Sequence, residues 1–224
     1  MTNKKKVLIL SAVGVIYPFP EGDNVQFGLY KFLLEKGYNP DSEKMLYWQK
    51  NAFEKASRGK ISSLEALKEL LPSLHELELE KIESEFLNSN YFNLAYDFIE
   101  TLEKIKEQVI LGLLTNNLPS WSKYLIKRFQ IEKYFHPNLI VISGEKTSYL
   151  KPEKEIYFEI QKNIDDSPQI YFVDDSKKNL KAADENLKWH TIYKDTKQKE
   201  DQNINYTPHH TIKTFYELVP IINQ

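Results

Sequence analysis

Four short segments of the chain gather residue types that could do chemistry. The first is Ser11-Ala12-Val13-Gly14-Val15-Ile16, which offers one hydroxyl, at Ser11. The second is Leu114-Thr115-Asn116-Asn117, and the third is Lys151-Pro152 followed by Ile156-Tyr157. The fourth is Phe172-Val173-Asp174-Asp175-Ser176, followed by Asn179-Leu180 and Ala182-Ala183. A serine hydroxyl is almost fully protonated at neutral pH and attacks only when a base takes its proton. Adjacent carboxylates such as Asp174 and Asp175 suit a hard cation, because magnesium takes oxygen ligands in near-octahedral geometry. The carbonyl of Val13 could add a further oxygen. Each residue also has a plainer reading. Thr115 could cap the helix that follows it. Asp174-Asp175 could be a turn and N-cap pair. Lys151 could be a solvated residue at a helix start, and Ser11 an inert packing residue.

The elements that must position these groups are short apolar runs: Val7–Leu10, Val109–Leu114, Leu139–Ile142, Ile170–Val173 and His190–Tyr193. Apolar runs without alternation suit strands covered on both faces. Helical patterns separate the later runs. Pro119 to Phe129 carries Leu125, Ile126 and Phe129 at helical spacing. Lys151 to Lys162 places Pro152 in a first turn, where proline is tolerated. Lys177 to Glu185 is a third. Strands alternating with helices predict a parallel α/β sheet, and right-handed crossovers favour a doubly wound layout. In such sheets ligands collect outside the carboxyl ends of the strands. The four segments fall there, so they should converge.

A different pattern runs from about Asn24 to Asn90. Ser62 with Glu65 forms a capping-box signature. Leu64, Leu67 and Leu71 then describe one apolar face. Asp41 is placed to cap a helix through Met45, Trp48 and Phe53, and Phe27, Tyr30, Phe32 and Leu33 belong to another helix. Roughly seventy residues without strands must have structure of their own. The expected organisation is an α/β core over residues 1–19 and 91–224, with a helical cap domain over 20–90. The polar stretch Lys194 to Thr211 reads as surface loop. Ile212 to Ile222 reads as a closing helix with Phe215, Leu218 and Ile222 on one side.

Taken in order, with the helical insertion after the first, the four segments resemble the haloacid dehalogenase-like (HAD) superfamily, in the subgroup with a helical cap. The resemblance covers nearly the whole chain, and its fourth segment is the best match. It implies a Rossmannoid core with strand order 3-2-1-4-5. It also implies roles. The family's first motif is Asp-x-Asp. Its first aspartate attacks phosphorus, or an alkyl carbon in the dehalogenases. Its second is the general acid and base, and its carbonyl binds magnesium. Thr115 matches the hydroxyl that holds the transferring phosphoryl group, with Asn116 beside it as a ligand contact. Lys151 matches the lysine that neutralises nucleophile and phosphate. Asp174 and Asp175 match the acidic pair that holds magnesium. The departure falls on the reacting groups: Ser11 stands at the nucleophile position and Val13 at the acid/base position. Asp23, beyond Pro18 and Pro20, is not expected to substitute. Two negative charges are gone while Lys151 and Thr115 remain, so an anion would meet less repulsion. The expectation is a catalytically impaired family member that binds a phosphate- or carboxylate-bearing ligand or a protein partner. Its rivals are a hydrolase with a non-standard nucleophile and a purely structural subunit. Magnesium binding is expected to be weakened.

The bulk sequence adds limits. The 224 residues carry 30 basic and 32 acidic side chains, a balance that gives no argument for nucleic acid, and no nucleic-acid partner is expected. There is no cysteine, so thiolate chemistry and disulfides are excluded and a cytoplasmic setting is expected. Lys4-Lys5-Lys6 followed by Val7 to Ile16 has the outline of a signal segment, but no small-x-small cleavage site follows. A buried first strand is the preferred reading, and no run is long enough to suggest a membrane partner. His209-His210 lack metal-ligand spacing, and Trp48 and Trp121 read as packing aromatics.

Overall fold

The computed structural model describes residues 5–19, 25–164, 169–196 and 203–224. Its centre is a parallel sheet of six strands in the order β3-β2-β1-β4-β5-β6. These are β1 (Lys6–Leu10), β2 (Val109–Thr115), β3 (Ile140–Ile142), β4 (Ile170–Asp174), β5 (His190–Lys194) and β6 (His210–Ile212). The expected order of five is therefore present, extended by one strand. Strand β1 is central: Val7 to Leu10 pair with β2 on one side and β4 on the other. That double pairing explains its unbroken apolar run. Leu8 and Leu10 enter the core on one face, while Val7 and Ile9 enter the core on the other.

Helices α1 (Val25–Glu35), α2 (Ser42–Trp48), α3 (Glu54–Ser57), α4 (Ser63–Leu70) and α5 (Glu76–Asn88) lie between β1 and β2. A π-helical turn, Gln49–Phe53, joins α2 to α3. Asp41 caps α2 by accepting from the Glu43 amide at 3.0 Å. The capping box of α4 is complete, with Ser62 Oγ accepting from Glu65 N at 3.1 Å and Glu65 accepting from Ser62 N at 2.7 Å. Its buried face is Ala66, Leu67 and Leu70, with Leu64 only half buried. Helix α6 (Phe98–Ile105) precedes β2, α7 (Pro119–Arg128) follows it, and α8 (Lys154–Gln161) and α9 (Lys177–Leu187) flank β4.

Two readings of the sequence need correction. Helix α8 starts at Lys154, not Lys151, because a residue before proline is biased away from helical backbone. The chain near its end is not loop followed by one long helix. His210–Ile212 adds to the edge of β5, and Ile212 through Thr214 lead to a short turn and α10 (Leu218–Ile222). His-Thr-Ile carries no apolar run; the open edge of β5 supplies the pairing. Asp23 lies outside the described residues. Among the described residues no helix is long and apolar enough to cross a membrane.

The insertion is fastened to the sheet side of the molecule at several points. Trp121 of α7 packs on Phe53 and Phe86, with ring centroids 6.1 and 5.4 Å away. Arg58 makes a two-pronged bond to Glu153, at 2.7 and 3.1 Å. Gly59, at φ +72°, lies so close to Gly144 that a Cβ would sit 2.3 Å from the Gly144 carbonyl oxygen. Gly59→Ala should therefore destabilise by about 2 kcal/mol or more, through backbone strain and a clash with rigid main chain. Denaturant titration would measure it; an unchanged midpoint would show that the two backbones part without cost.

Candidate active site

All four segments meet at the carboxyl end of the sheet. Ser11 follows β1, Thr115 ends β2, Lys151 precedes α8, and Asp174 ends β4 with Asp175 next. The centre is a buried chain of contacts. Lys151 Nζ donates to Ser11 Oγ at 2.7 Å and to Asp174 Oδ2 at 2.6 Å. The two charged side chains are 3 % and 0 % exposed. Lys151 is thus not a solvated helix-start residue. Asp174 Oδ1 accepts from Ser176 N at 2.9 Å and Asn179 Nδ2 at 3.0 Å. The turn reading of Asp174 is therefore correct as well, on its other oxygen.

The neighbouring groups hold this centre in place. Asn116 and Lys151 exchange bonds, Asn116 Nδ2 to the Lys151 carbonyl at 2.9 Å and Lys151 N to Asn116 Oδ1 at 2.8 Å. The Asn116 amide is therefore spent on positioning the lysine. Thr115 Oγ1 accepts from Asn117 N at 3.1 Å. Gly14 sits at φ +85°, and a Cβ there would fall 1.9 Å from Asp175 Oδ2. Only glycine allows the loop after β1 to lie against that carboxylate.

A cavity of about 190 Å³ opens over the cluster. Ser11, Thr115, Asn116, Lys151 and Asp175 form a polar wall, and Val13, Phe19, Val25 and Phe53 form an apolar one. Phe53 and Val25 come from the insertion, so it shapes the pocket. Asn117 also lines the cavity, and neither its amide oxygen nor its amide nitrogen has a hydrogen-bond partner. The sequence reading did not single it out. Its only sequence signal is its place beside Thr115 and Asn116.

A family model described as haloacid dehalogenase-like hydrolase matches residues 54–192, more than half of the chain. The chain belongs to this family. The match begins after β1, so positions 11 and 13 of this HAD-like protein lie outside it. No curated protein matches it in sequence. Solved structures share its fold. The L-2-haloacid dehalogenase from Xanthobacter autotrophicus with covalently bound chloropropionic acid is 14 % identical, at a TM-score of 0.68 with 98 % of each chain covered. The HAD hydrolase YfnB from Bacillus subtilis, in a form bound to magnesium, is 14 % identical, at a TM-score of 0.66 with 98 % of this chain and 99 % of that chain covered. A HAD family enzyme from Bacteroides thetaiotaomicron is 19 % identical, at a TM-score of 0.66 with 87 % of this chain and 96 % of its own covered.

The donor set does not fit the magnesium that the family implies. Both oxygens of Asp174 already hold protein donors. Val13 keeps only its main-chain carbonyl as a donor, and at position 11, where the family has a carboxylate, Ser11 Oγ faces the Lys151 ammonium. Among the described residues no three His, Cys, Asp or Glu side chains are grouped to hold a metal ion. Titration of the HAD-like protein with magnesium chloride alone should give no binding heat at millimolar concentration, and the double variant Ser11→Asp/Val13→Asp should gain it. Binding to the unaltered protein that disappears in Asp175→Asn would overturn this account. The buried pair makes a second prediction. Lys151→Met leaves Asp174 charged and uncompensated and should cost about 3–5 kcal/mol, whereas Ser11→Ala should cost about 1 kcal/mol. Equal midpoints for the two variants in denaturant would refute that ranking.

Proposed function

We propose that this HAD-like protein is a binding protein rather than a working hydrolase, and that its pocket takes a small ligand bearing a phosphate or carboxylate group. One observation carries the reading: Ser11 Oγ accepts a hydrogen bond from an ammonium group that is itself ion-paired to Asp174. A serine nucleophile needs a partner that removes its proton. Lys151 instead donates a hydrogen bond to the hydroxyl oxygen while it is ion-paired with Asp174 at 2.6 Å. Val13, where the family's acid/base stands, has no atom able to accept a proton. Loss of a hydrolase nucleophile costs on the order of 10⁶ in turnover, and loss of an acid/base group about 10² to 10⁴, though the two do not add.

In this reading the insertion, residues 20–90, acts as a cap. It brings Val25 and Phe53 to the cavity and thereby sets which ligand bodies fit. Thr115, Lys151 and the polar wall receive the head group. The absence of cysteine suits a reducing compartment, and the protein is taken as cytoplasmic. A second reading rests on the 2.7 Å contact itself: a serine beside a lysine is a nucleophile–base pair if the lysine is neutral. The lysine nitrogen is already engaged with Asp174 at 2.6 Å.

An assay with a generic aryl phosphomonoester and magnesium, and with a 2-haloacid, separates these readings. The unaltered protein should stay at the background rate with both. Ser11→Asp/Val13→Asp should gain phosphatase turnover, and neither single change should do so. Hydrolysis by the unaltered protein at an ordinary enzymatic rate, abolished in Ser11→Ala, would establish the serine reading instead.

A further inference from the structure

We infer that His209 is an acid-released latch: its neutral ring fastens β6 to the edge of β5, and a proton taken up by that ring undoes the fastening. The latch lies at the amino end of the sheet, away from the pocket, and does not depend on what the pocket binds.

Strands β5 and β6 pair from Ile192 and His210 onward. One residue earlier, a side chain takes the place of a ladder bond. The Thr191 N–H donates to His209 Nδ1 at 3.1 Å, and the His209 N–H returns a bond to Thr191 Oγ1 at 3.3 Å. Thr191 is fully buried, so its amide depends on that acceptor. A neutral imidazole has one nitrogen that donates and one that accepts. Since Nδ1 accepts, the ring hydrogen is on Nε2, and Nδ1 is the place left for a second proton. Protonation of His209 and its bond to the Thr191 amide therefore exclude each other. His209 is exposed, so a proton reaches it without unfolding.

The surrounding groups do not rescue the bond. Thr191 Oγ1 lies 2.8 Å from Nδ1 and would take the new hydrogen, but the Thr191 N–H would then face a donor. Tyr206, on the segment before β6, is 2.7 Å from Thr191 Oγ1 and donates to Asp184 of α9 at 3.1 Å. Glu185 of the same helix adds a second negative charge near Tyr206. Burial pushes the Tyr206 hydroxyl up to about 12, so it stays a donor throughout the range in which histidine titrates. Against these carboxylates stand two further imidazoles. The His190 ring, at the start of β5, is 5.3 Å from that of His209, and His210 follows on β6. His190 also stacks on Tyr171 at 5.4 Å and meets Gln169 at 3.1 Å, and Lys6 of β1 lies over the far Tyr171 ring at 5.7 Å. Burial, then His209 and His210, lower the His190 pKa against the pull of Asp184. The unfolded chain thus binds more protons as pH drops below about 6.5, so the stability from this cluster is complete above that pH and declines below it. The strand held by the latch leads on to Phe215, whose N–H donates to Asp97 before α6 at 2.6 Å. Acid should loosen the amino end of β6 first, while that later anchor keeps the segment attached.

Amide hydrogen exchange of the whole protein, followed by NMR at about pH 8 and about pH 5, reads the latch residue by residue. Protection of the Thr191 amide, referred to an unfolded chain at the same pH, should fall about fivefold on acidification. Phe172, paired with Thr191 from β4, should change little. His209→Asn puts an oxygen that cannot titrate near the place of Nδ1, and should hold the protection level at both pH values. His209→Ala should leave the Thr191 amide poorly protected at both. The ring nitrogen signals of the unaltered protein give an independent reading: Nδ1 should be unprotonated at about pH 8, and its protonation should track the loss of Thr191 protection. If His209→Asn behaves like His209→Ala, this ring titration decides alone. Four results overturn the inference: Thr191 protection that does not change with pH, an equal fall at Phe172, protection that persists with Nδ1 protonated, or a response abolished by His190→Gln with His209 intact.

Discussion

The Lys151 ammonium, held between Ser11 and Asp174, is the contact on which the rest of the site depends. A buried pair of this kind survives only if the remaining hydrogen-bonding capacity at each end is met. Here the surroundings meet it. Ser176 N and Asn179 serve the far oxygen of Asp174, and Asn116 fixes the main chain of Lys151 on both its N–H and its carbonyl. Two residues further along, Glu153 caps the Leu150 amide and takes the Arg58 fork from the insertion. The lysine is therefore the meeting point of the sheet, the loop before α8 and the helices placed after β1.

That arrangement changes what the pocket can do. In the family pattern, carboxylates at the first motif would compete for the same ammonium. In this chain Ser11 and Val13 stand there, and the Lys151 ammonium is paired with Asp174 inside the protein. Of the side chains that line the cavity, Asn117 has buried amide atoms with no partner. Under the proposed function, chemistry that needs a poised base or an attacking carboxylate is lost, while the scaffold that would have placed it stays intact. Gly14, at φ +85°, lets its loop lie against Asp175.

Fold and chemistry separate because they rest on different numbers of residues. At 14 % identity the chain still superposes on a dehalogenase over 98 % of its length. Dozens of buried apolar side chains specify the sheet, and any one can change if volume and pattern are kept. The reacting groups that the family resemblance implies rest on two positions at the tip of β1, Ser11 and Val13 here.

Much was legible in the sequence alone. The five apolar runs fall within one residue of β1 to β5, because strands buried on both faces must be apolar throughout. The helical insertion, the Ser62–Glu65 box and the Asp41 cap were equally readable, being local in sequence. So was the absence of carboxylates at positions 11 and 13. The tertiary structure alone decided three other matters. Strand β6 exists because β5 offers it an open edge, not because His210-Thr211-Ile212 is apolar. Lys151 was expected to meet the Asp174-Asp175 segment, but that it is buried, holds Asp174 and also donates to Ser11 is set by contacts 23 and 140 positions away in sequence. And of two adjacent asparagines, one is consumed and the other left unpaired, a difference set by partners that only the folded chain brings within hydrogen-bonding distance.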